Sequence, residues 1–429
     1  VPTGLVPRIL ELSHGLPLVA EETVHDLIDN GVIAVHGDRW SFTQMSLRAI
    51  QLPDTVDALF EGRVQRLPAD QRAILEAAAV AGQRFWPAML AHILGDEWSP
   101  GALEDLEAKG FVKPTKSGHL GHESAYVFVQ RAIRDSTYKR VQPQDRMTIH
   151  LAVARWLEHH SDSALFQLEG VIGGHYREGG EPALAFPYLI RAAHRSVGVT
   201  ALEESIAYLE ACHELLDKIP SGEMTEESRE QARLKVLSDL VRQYVAVGEL
   251  QKALDISREA EGLSLPDGDH ARDRRHRLAL ERARALYLKG RFDEARQGFE
   301  AFNAQEGADA SSVNFIDAAS GYAASLGKLG KSDEAIAYLS GAIAKQEKIL
   351  GGSSSSGLFM SRAYRTLGNC ALEARDFEVA AVHLSRALEI ASESNAPEQS
   401  LEALNSLAAL KFFRGDLTGA VGEFRAALE

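Results

Sequence analysis

From about residue 230 onward two patterns alternate along the chain: apolar residues three or four apart, then small residues seven apart. The first gives the stripes Leu237, Leu240, Tyr244; Tyr364, Leu367, Ala371; and Leu404, Leu407, each the buried side of an amphipathic helix. The second follows a turn that carries Gly or a polar substitute, as in Gly290-Arg291-Phe292-Asp293-Glu294-Ala295. Its alanines, Ala253, Ala295, Ala335, Ala380 and Ala420, are spaced by 42, 40, 45 and 40 residues. Seven residues after each stands Ala260, Phe302, Ala342, Ala387 or Ala427, on the same helix face, where a neighbouring helix can approach. Alternating stripes and close-approach faces at this period predict five helical hairpins over residues 221–429. Such hairpins stack into a solenoid that buries its core between neighbours and leaves a concave surface suited to binding.

These hairpins resemble the tetratricopeptide repeat. The period is nearer 40 than 34, so the helices or the loops must be longer than standard. Three positions depart from the pattern: Arg375 stands where the other turns mostly have Gly, and Arg282 and Lys411 stand where apolar residues are expected. The run Gly351–Gly357 reads as a flexible linker and accounts for the 45-residue spacing.

The first 220 residues lack this period. A helix over Leu5–Ser13, an acidic helix from about Leu18 to Asn30, and two strand-like runs around Gly37-Asp38 make up residues 1–50. Helices are expected over Thr55–Leu67, Gln71–Ala81, Trp86–Leu94 and Gly101–Lys109, followed by a hairpin of Phe111–Pro114 and Tyr126–Val129. Three helices and a hairpin follow the plan of a winged helix over residues 51–145. Residues 146–220 read as a helical linker with atypical first repeats, because Gly179-Gly180-Glu181-Pro182-Ala183-Leu184-Ala185 imitates the repeat turn. The expected fold is therefore predominantly all-α: a helical lid remnant and a winged helix, then an α–α superhelix.

Several short motifs in this half add a second resemblance. Gly15-Leu16-Pro17-Leu18 with Glu21-Glu22, then Leu67-Pro68, Arg72, Leu75 and Ala77 through Gly82, look like the region behind the nucleotide-binding domain of signal-transducing (STAND-type) P-loop ATPases. Tyr126–Gln130, Arg134-Asp135, Tyr138, Arg146, His150 and His175-Tyr176 are similar to the same family. These regulators, mostly bacterial, place an ATPase and winged helix before a tetratricopeptide sensor, and are linked to a cyclase, a kinase or a DNA-binding domain. The resemblance implies that this chain is the part after the ATPase core, with that upstream ATPase as a partner and ATP or ADP as nucleotide of the intact protein. It also implies that Gly15 and Pro17 lie near the nucleotide; by itself, Pro17 can equally serve only to start the following helix. Gln130 departs from the family, which commonly has His there.

Catalytic motifs are missing from the chain. A P-loop needs Gly, four residues, then Gly-Lys-Ser/Thr, so that backbone N–H groups wrap the phosphates. The nearest match, Gly330-Lys331-Ser332, has Ser325 at the first Gly position and falls on a repeat turn. No catalytic constellation and no bound cofactor is expected in this chain. His119, His122, His159 and His160 lack a third metal ligand at suitable spacing. The third helix of the winged-helix segment, Gly101–Lys109, is acidic and would repel phosphate, so its expected role is packing and nucleic-acid binding is not expected. Among 429 residues, 45% hydrophobic and 25% charged, there are two cysteines and a net charge of −15. The cysteines are too few for a disulfide framework, and no apolar run is long enough to span a membrane. With no signal peptide visible, the expectation is a cytoplasmic, excised fragment of a longer protein.

The concave surface carries the functional expectation. On the repeat template the first helix of each hairpin turns Lys235, Arg242, Arg277, Arg284, Lys328, Arg362 and Arg365 inward, with Asn369, Asn405 and the acids Asp317, Glu373 and Glu402. The seven cations against three carboxylates give an excess of four positive charges on an acidic chain. Such a concavity would attract a protein or peptide segment, acidic by complementarity, held by Arg–carboxylate forks. The alternative is that these cations pair with neighbouring helices. Under the binding reading, reversing Arg284, Arg362 and Arg365 is expected to remove partner binding without unfolding. Three functions compete: sensor and coupling half of a signal-transducing ATPase, plain repeat adaptor, or transcription regulator acting through the winged helix.

Overall fold

The computed structural model describes residues 5–13, 17–29, 31, 33–36, 39–42, 56–120, 123–160, 165–198, 201–263, 269–306, 313–350 and 357–426. They form two compact units, Val1–Ala192 and Ala193–Glu429.

The first unit begins with α1 (Leu5–Ser13) and α2 (Pro17–Asp29), which cover the antiparallel pair β1 (Ile33–His36) and β2 (Arg39–Phe42). Ile9, Leu27 and Ile33 make the small core of this segment. Next come α3 (Val56–Gln65), α4 (Ala69–Ala81), β3 (Arg84–Phe85), α5 (Pro87–Leu94), α6 (Pro100–Ala108), β4 (Val112–Leu120) and β5 (Glu123–Phe128). Helix α6 starts where the sequence says it should: the Ser99 hydroxyl accepts from the Ala102 N–H, and Pro100 follows as first helical residue. The strands form an antiparallel sheet in the order β3-β5-β4. The hairpin appears as expected but longer, and β3 is an addition. Two residues have no periodicity to read, yet β3 matters, because it brings Phe85 5.7 Å from Phe128 in a fully buried aromatic core with Phe111. Helix α4, buried along Ile74, Leu75 and Ala77–Ala81, is the hub against which α5 and α6 pack. Helices α7 (Arg131–Arg140) and α8 (Pro143–His160) also pack on it, and α9 (Leu165–Glu178) packs on α8. Helix α10 (Pro182–Gly198) then carries the chain into the second unit.

There α11 (Leu202–Leu216) precedes five hairpins: α12 (Glu226–Ala246) with α13 (Leu250–Glu261), α14 (Asp269–Leu288) with α15 (Phe292–Glu306), and α16 (Val313–Lys328) with α17 (Ser332–Leu350), followed by α18 (Gly357–Glu373) with α19 (Phe377–Glu393) and α20 (Pro397–Phe413) with α21 (Leu417–Ala426). The long period resides at least partly in the helices, since α12, α14 and α17 reach 21, 20 and 19 residues. All five turns share one geometry. At α16–α17, Gly330 has φ 78°, its N–H donates to the Gly327 carbonyl, and the Lys331 N–H donates to the Leu326 carbonyl. This is the double closure of a helix end that a left-handed residue permits. Gly330-Lys331-Ser332 is thus a repeat turn, as its position in the sequence suggested.

The repeat alanines occupy the core. Ala253, Ala295, Ala335 and Ala380 are fully buried and Ala420 nearly so, while Ala260, Phe302, Ala342 and Ala387 are buried one step along; Ala427 lies outside the described residues. Small residues at these places let helices approach within touching distance of the backbone. A Cβ built on Gly368 would sit 3.2 Å from the Leu384 backbone nitrogen and closer still to its side chain. Arg282 and Lys411, the polar intruders, have found ion-pair partners on second helices of the hairpins, Glu261 and Glu423.

Candidate functional site

The first helices of successive hairpins pack side by side, α12 on α14, α14 on α16, α16 on α18 and α18 on α20. Their outward turns line a cleft of about 800 Å³ that reaches from His194 on α10 to Leu358, Phe359 and Arg362 on α18. Five predicted groove residues line it: Lys235, Arg242, Arg277, Arg284 and Arg362. Lys328, Arg365, Asn369 and Asn405 lie outside it. The cleft also takes in Arg274 and three carboxylates, Asp239, Asp273 and Glu281.

Those carboxylates correct the expected charge. Six cations face three acids, an excess of three instead of four. The template reading selected one inward residue per turn and passed over Asp239, Asp273 and Glu281, which stand three or four residues from an arginine and therefore on the same face. They neutralise what lies beside them: Arg242 is 2.5 Å from Asp239, Arg284 is 2.6 Å from Glu281, and Arg277 pairs with Asp273. Further along, Lys328 pairs with Glu373 at 2.5 Å and Arg365 with Glu402 at 3.0 Å.

Asp317 is a different kind of acid. It is 6% exposed and lies between Arg284 of α14 and Arg362 of α18, the latter at 3.0 Å. One carboxylate on α16 thus ties three hairpins together. The buried Asp317 argues against Arg284 and Arg362 as fold-neutral sites for charge reversal, because either change would set a second carboxylate against a buried one.

Lys235 stands apart. Half-buried in the cleft, its ammonium has no bonded partner among the described residues. Nearby, the His194 imidazole meets Asp239 at 3.0 Å. Burial alone would raise the Asp239 pKa; the bond with His194 and the charge of Arg242 outweigh it and hold the carboxyl ionised. The α10–α12 side of the cleft is therefore polar and fixed, with one uncommitted cation, and the α18 side presents Leu358 and Phe359 as an apolar shelf.

In the first unit, the motif residues converge through buried polar contacts. Arg63 of α3 is buried and pairs with Glu22 of α2; it also donates to the Lys109 carbonyl at 2.8 Å and lies over the Phe111 ring. Gln130 donates to the other Glu22 oxygen at 3.1 Å. Pro17 is exposed as the first residue of α2, where its ring starts the helix; Gly15 lies outside the described residues. On α6, Asp105 accepts from Gln71 at 2.8 Å and Glu107 from the Tyr126 hydroxyl at 3.3 Å. The acidic face is bonded within the domain. His159 bonds to the Arg155 carbonyl and His160 stacks on Trp156; His119 and His122 fall outside the described residues.

Tyr138, His150 and His175 form a chain that the sequence gave no reason to join. The Tyr138 hydroxyl lies 3.1 Å from His150 Nε2, and His150 Nδ1 lies 2.7 Å from His175 Nδ1. Burial pushes the two imidazoles down, to about 4 and about 3. Their mutual bond requires one ring to donate and the other to accept, which two imidazolium ions cannot do.

No family model matches the chain, and no curated protein matches it at a significant level. Solved structures do. One is a signal transduction ATPase with numerous domains carrying a tetratricopeptide repeat sensor, from Pyrococcus horikoshii: 14% identity over 98% of this chain and 68% of that one, TM-score 0.39. Another is BtubC (BKLC) from P. vanneervenii, 22% identical over 53% of this chain and 89% of that one, TM-score 0.41. A third is a Rap protein complexed with Competence and Sporulation Factor, 14% identical over 70% and 78% respectively, TM-score 0.43.

Proposed function

We propose that the repeats of this chain are the sensor half of a signal-transducing ATPase regulator, and that they bind a peptide or protein segment in the cleft of α10–α18. The observation that carries this is the cleft itself. It is large, is built from the first helices of successive hairpins, and offers the uncommitted Lys235 opposite an apolar shelf of Leu358 and Phe359. The cation excess and this arrangement suit a segment with an acidic side chain a few residues from an apolar anchor. In this reading the chain does no chemistry of its own. An ATPase domain upstream would hold ATP or ADP, and α4–β5, read as a winged helix, would pass the signal by packing. The bonds that engage Asp105 and Glu107 inside that domain favour packing over contact with DNA.

The test is a peptide display selection against the full chain, followed by calorimetry on the enriched sequences. Acidic peptides with an apolar anchor should emerge, and Lys235→Glu should weaken them by about tenfold, the equivalent of roughly 1.4 kcal/mol. Lys235→Ala, which removes the cation without setting a second carboxylate one turn from Asp239, should weaken them too and melt close to the wild type. Enrichment of basic peptides, or acidic ones indifferent to Lys235→Glu, would refute the reading.

A further inference from the structure

A second cavity, of about 410 Å³, lies in the first unit between the end of α4, β3 and helices α5, α8 and α9. That is within the size range of small-molecule sites. Its floor is apolar: Val80, Trp86, Met89 and Leu157 are buried, and Leu168 and Val171 of α9 close the side. Between these side chains Gly170 and Gly174 leave the α9 wall open, and a Cβ built on Gly174 would meet nothing within 4 Å. The polar atoms of His150 and His175 in the wall bond to each other and to Tyr138, and so present ring faces and edges but no charge.

Charge is confined to the mouth, where three arginines stand and two are committed. Arg134 donates to the Ala79 carbonyl at 2.9 Å and pairs with Asp135, and Arg177 is held by Glu178 at 3.0 Å. The third, Arg84, is exposed, and its side chain has no bonded partner among the described residues. Val171, which lines the same cavity, is 45% exposed. An apolar, uncharged floor favours an apolar body, since a buried polar group without a partner would cost more than it returned. A single free guanidinium at the rim selects an anionic end and can take a carboxylate in a bidentate fork.

We propose that this cavity is a binding site for a small apolar carboxylate, a fused-ring or medium-chain acid that enters tail first and leaves its carboxylate on Arg84. The ligand would fill the space beside α9 and join that helix to the α4–β3 turn. This site shares no residue with the peptide cleft, so either can fail without the other.

Calorimetry on the full chain tests it with three probes: 2-naphthoate, octanoate and the neutral 2-naphthamide. One or both acids should bind, and the amide should bind at least tenfold more weakly than naphthoate. Arg84→Ala should remove that preference without shifting the melting temperature. Gly174→Leu should abolish binding by filling the space, and Val171→Trp, placed from the exposed rim, does the same should the helix variant fail to fold. Binding by none of the probes at millimolar concentration would overturn the proposal. So would undiminished binding in a folded filling variant, or an amide that binds as well as the acid.

Discussion

Between residues 226 and 426 one arrangement recurs five times: a left-handed turn residue, two carbonyls closed by the next N–H groups, and an alanine buried against the preceding helix. In residues 5–192 the same turn is seen between α9 and α10, at Gly180 with the buried Ala185, and otherwise the segments are tied by particular polar groups in particular places. Arg63 and Glu22 join α2 to α3, and His150 and His175 join α8 to α9. At Gly248, Gly290, Gly330 and Gly415, as at Gly31 and Gly95 of the first unit, an added Cβ would meet nothing within 4 Å; at Gly180 it would lie 2.8 Å from the Met147 methyl. Cohesion in the repeats is distributed over many replaceable contacts. In the first unit it is concentrated in a few irreplaceable ones.

The largest expected effect tests that concentration. Replacing Arg63 by Met leaves the Glu22 carboxylate buried without its partner, and breaking such a pair costs about 3–5 kcal/mol. Urea denaturation should show the loss in the first unit's transition, and Glu22→Gln combined with Arg63→Met should recover part of it. Apart from the buried Asp317 tie, no repeat ion pair discussed above should come near that figure, because most are half exposed and worth about 1 kcal/mol or less. If Arg277→Met proved as damaging as Arg63→Met, the contrast between the two regions would collapse.

Acid sharpens the comparison next. In the unfolded chain both imidazoles would titrate near 6.5, while in the fold they hold no proton until about pH 4 and pH 3. Between those values the unfolded state binds more protons, so stability is full above about 6.5 and falls as pH drops toward 4. The first unit should lose on the order of 2 kcal/mol more than the repeats over that interval. Equilibrium unfolding at pH 7 and pH 4.5 measures it, and His150→Gln with His175→Leu should flatten the slope. A slope unchanged in the double variant would mean that the pair does not set the acid response.

The difference also governs what could be read from sequence. Repetition multiplies a weak signal, so the turns, the alanines and the helix pairs were legible from five in-phase copies. The groove was half legible. The template placed Lys235, Arg242, Arg277, Arg284 and Arg362 on the right face but could not show that Asp239, Asp273 and Glu281 share it, nor that Asp317 is a buried tie. In the first unit the motif residues Glu22, Gln130, Tyr138, His150 and His175 stood out individually. Their partners are 108 residues apart for Gln130 and Glu22, and 25 for the histidines, distances that no local pattern bridges. The two-residue β3 and the opening that Gly170 and Gly174 leave on α9 were invisible for the same reason.

The smallest effect concerns the one repeat turn that breaks the rule. Arg375 has φ 62° where the other four turns have glycine, and its exposed side chain bonds to nothing among the described residues. A left-handed non-glycine residue costs about 1–2 kcal/mol. Glycine returns some of that gain through the greater freedom of the unfolded chain, about 0.5–1 kcal/mol. Arg375→Gly should therefore stabilise the repeats by about 0.5–1 kcal/mol, a rise in melting temperature of a few degrees at most. The converse, Gly330→Ala, isolates the backbone term, because the added methyl meets no atom within 4 Å and any loss must come from φ 78° alone. If the turns are interchangeable parts, the two changes should be similar in size and opposite in sign. A gain at 375 without a loss at 330 would mean that the fourth turn, unlike the rest, is held by its own surroundings and belongs with the first unit's kind of order.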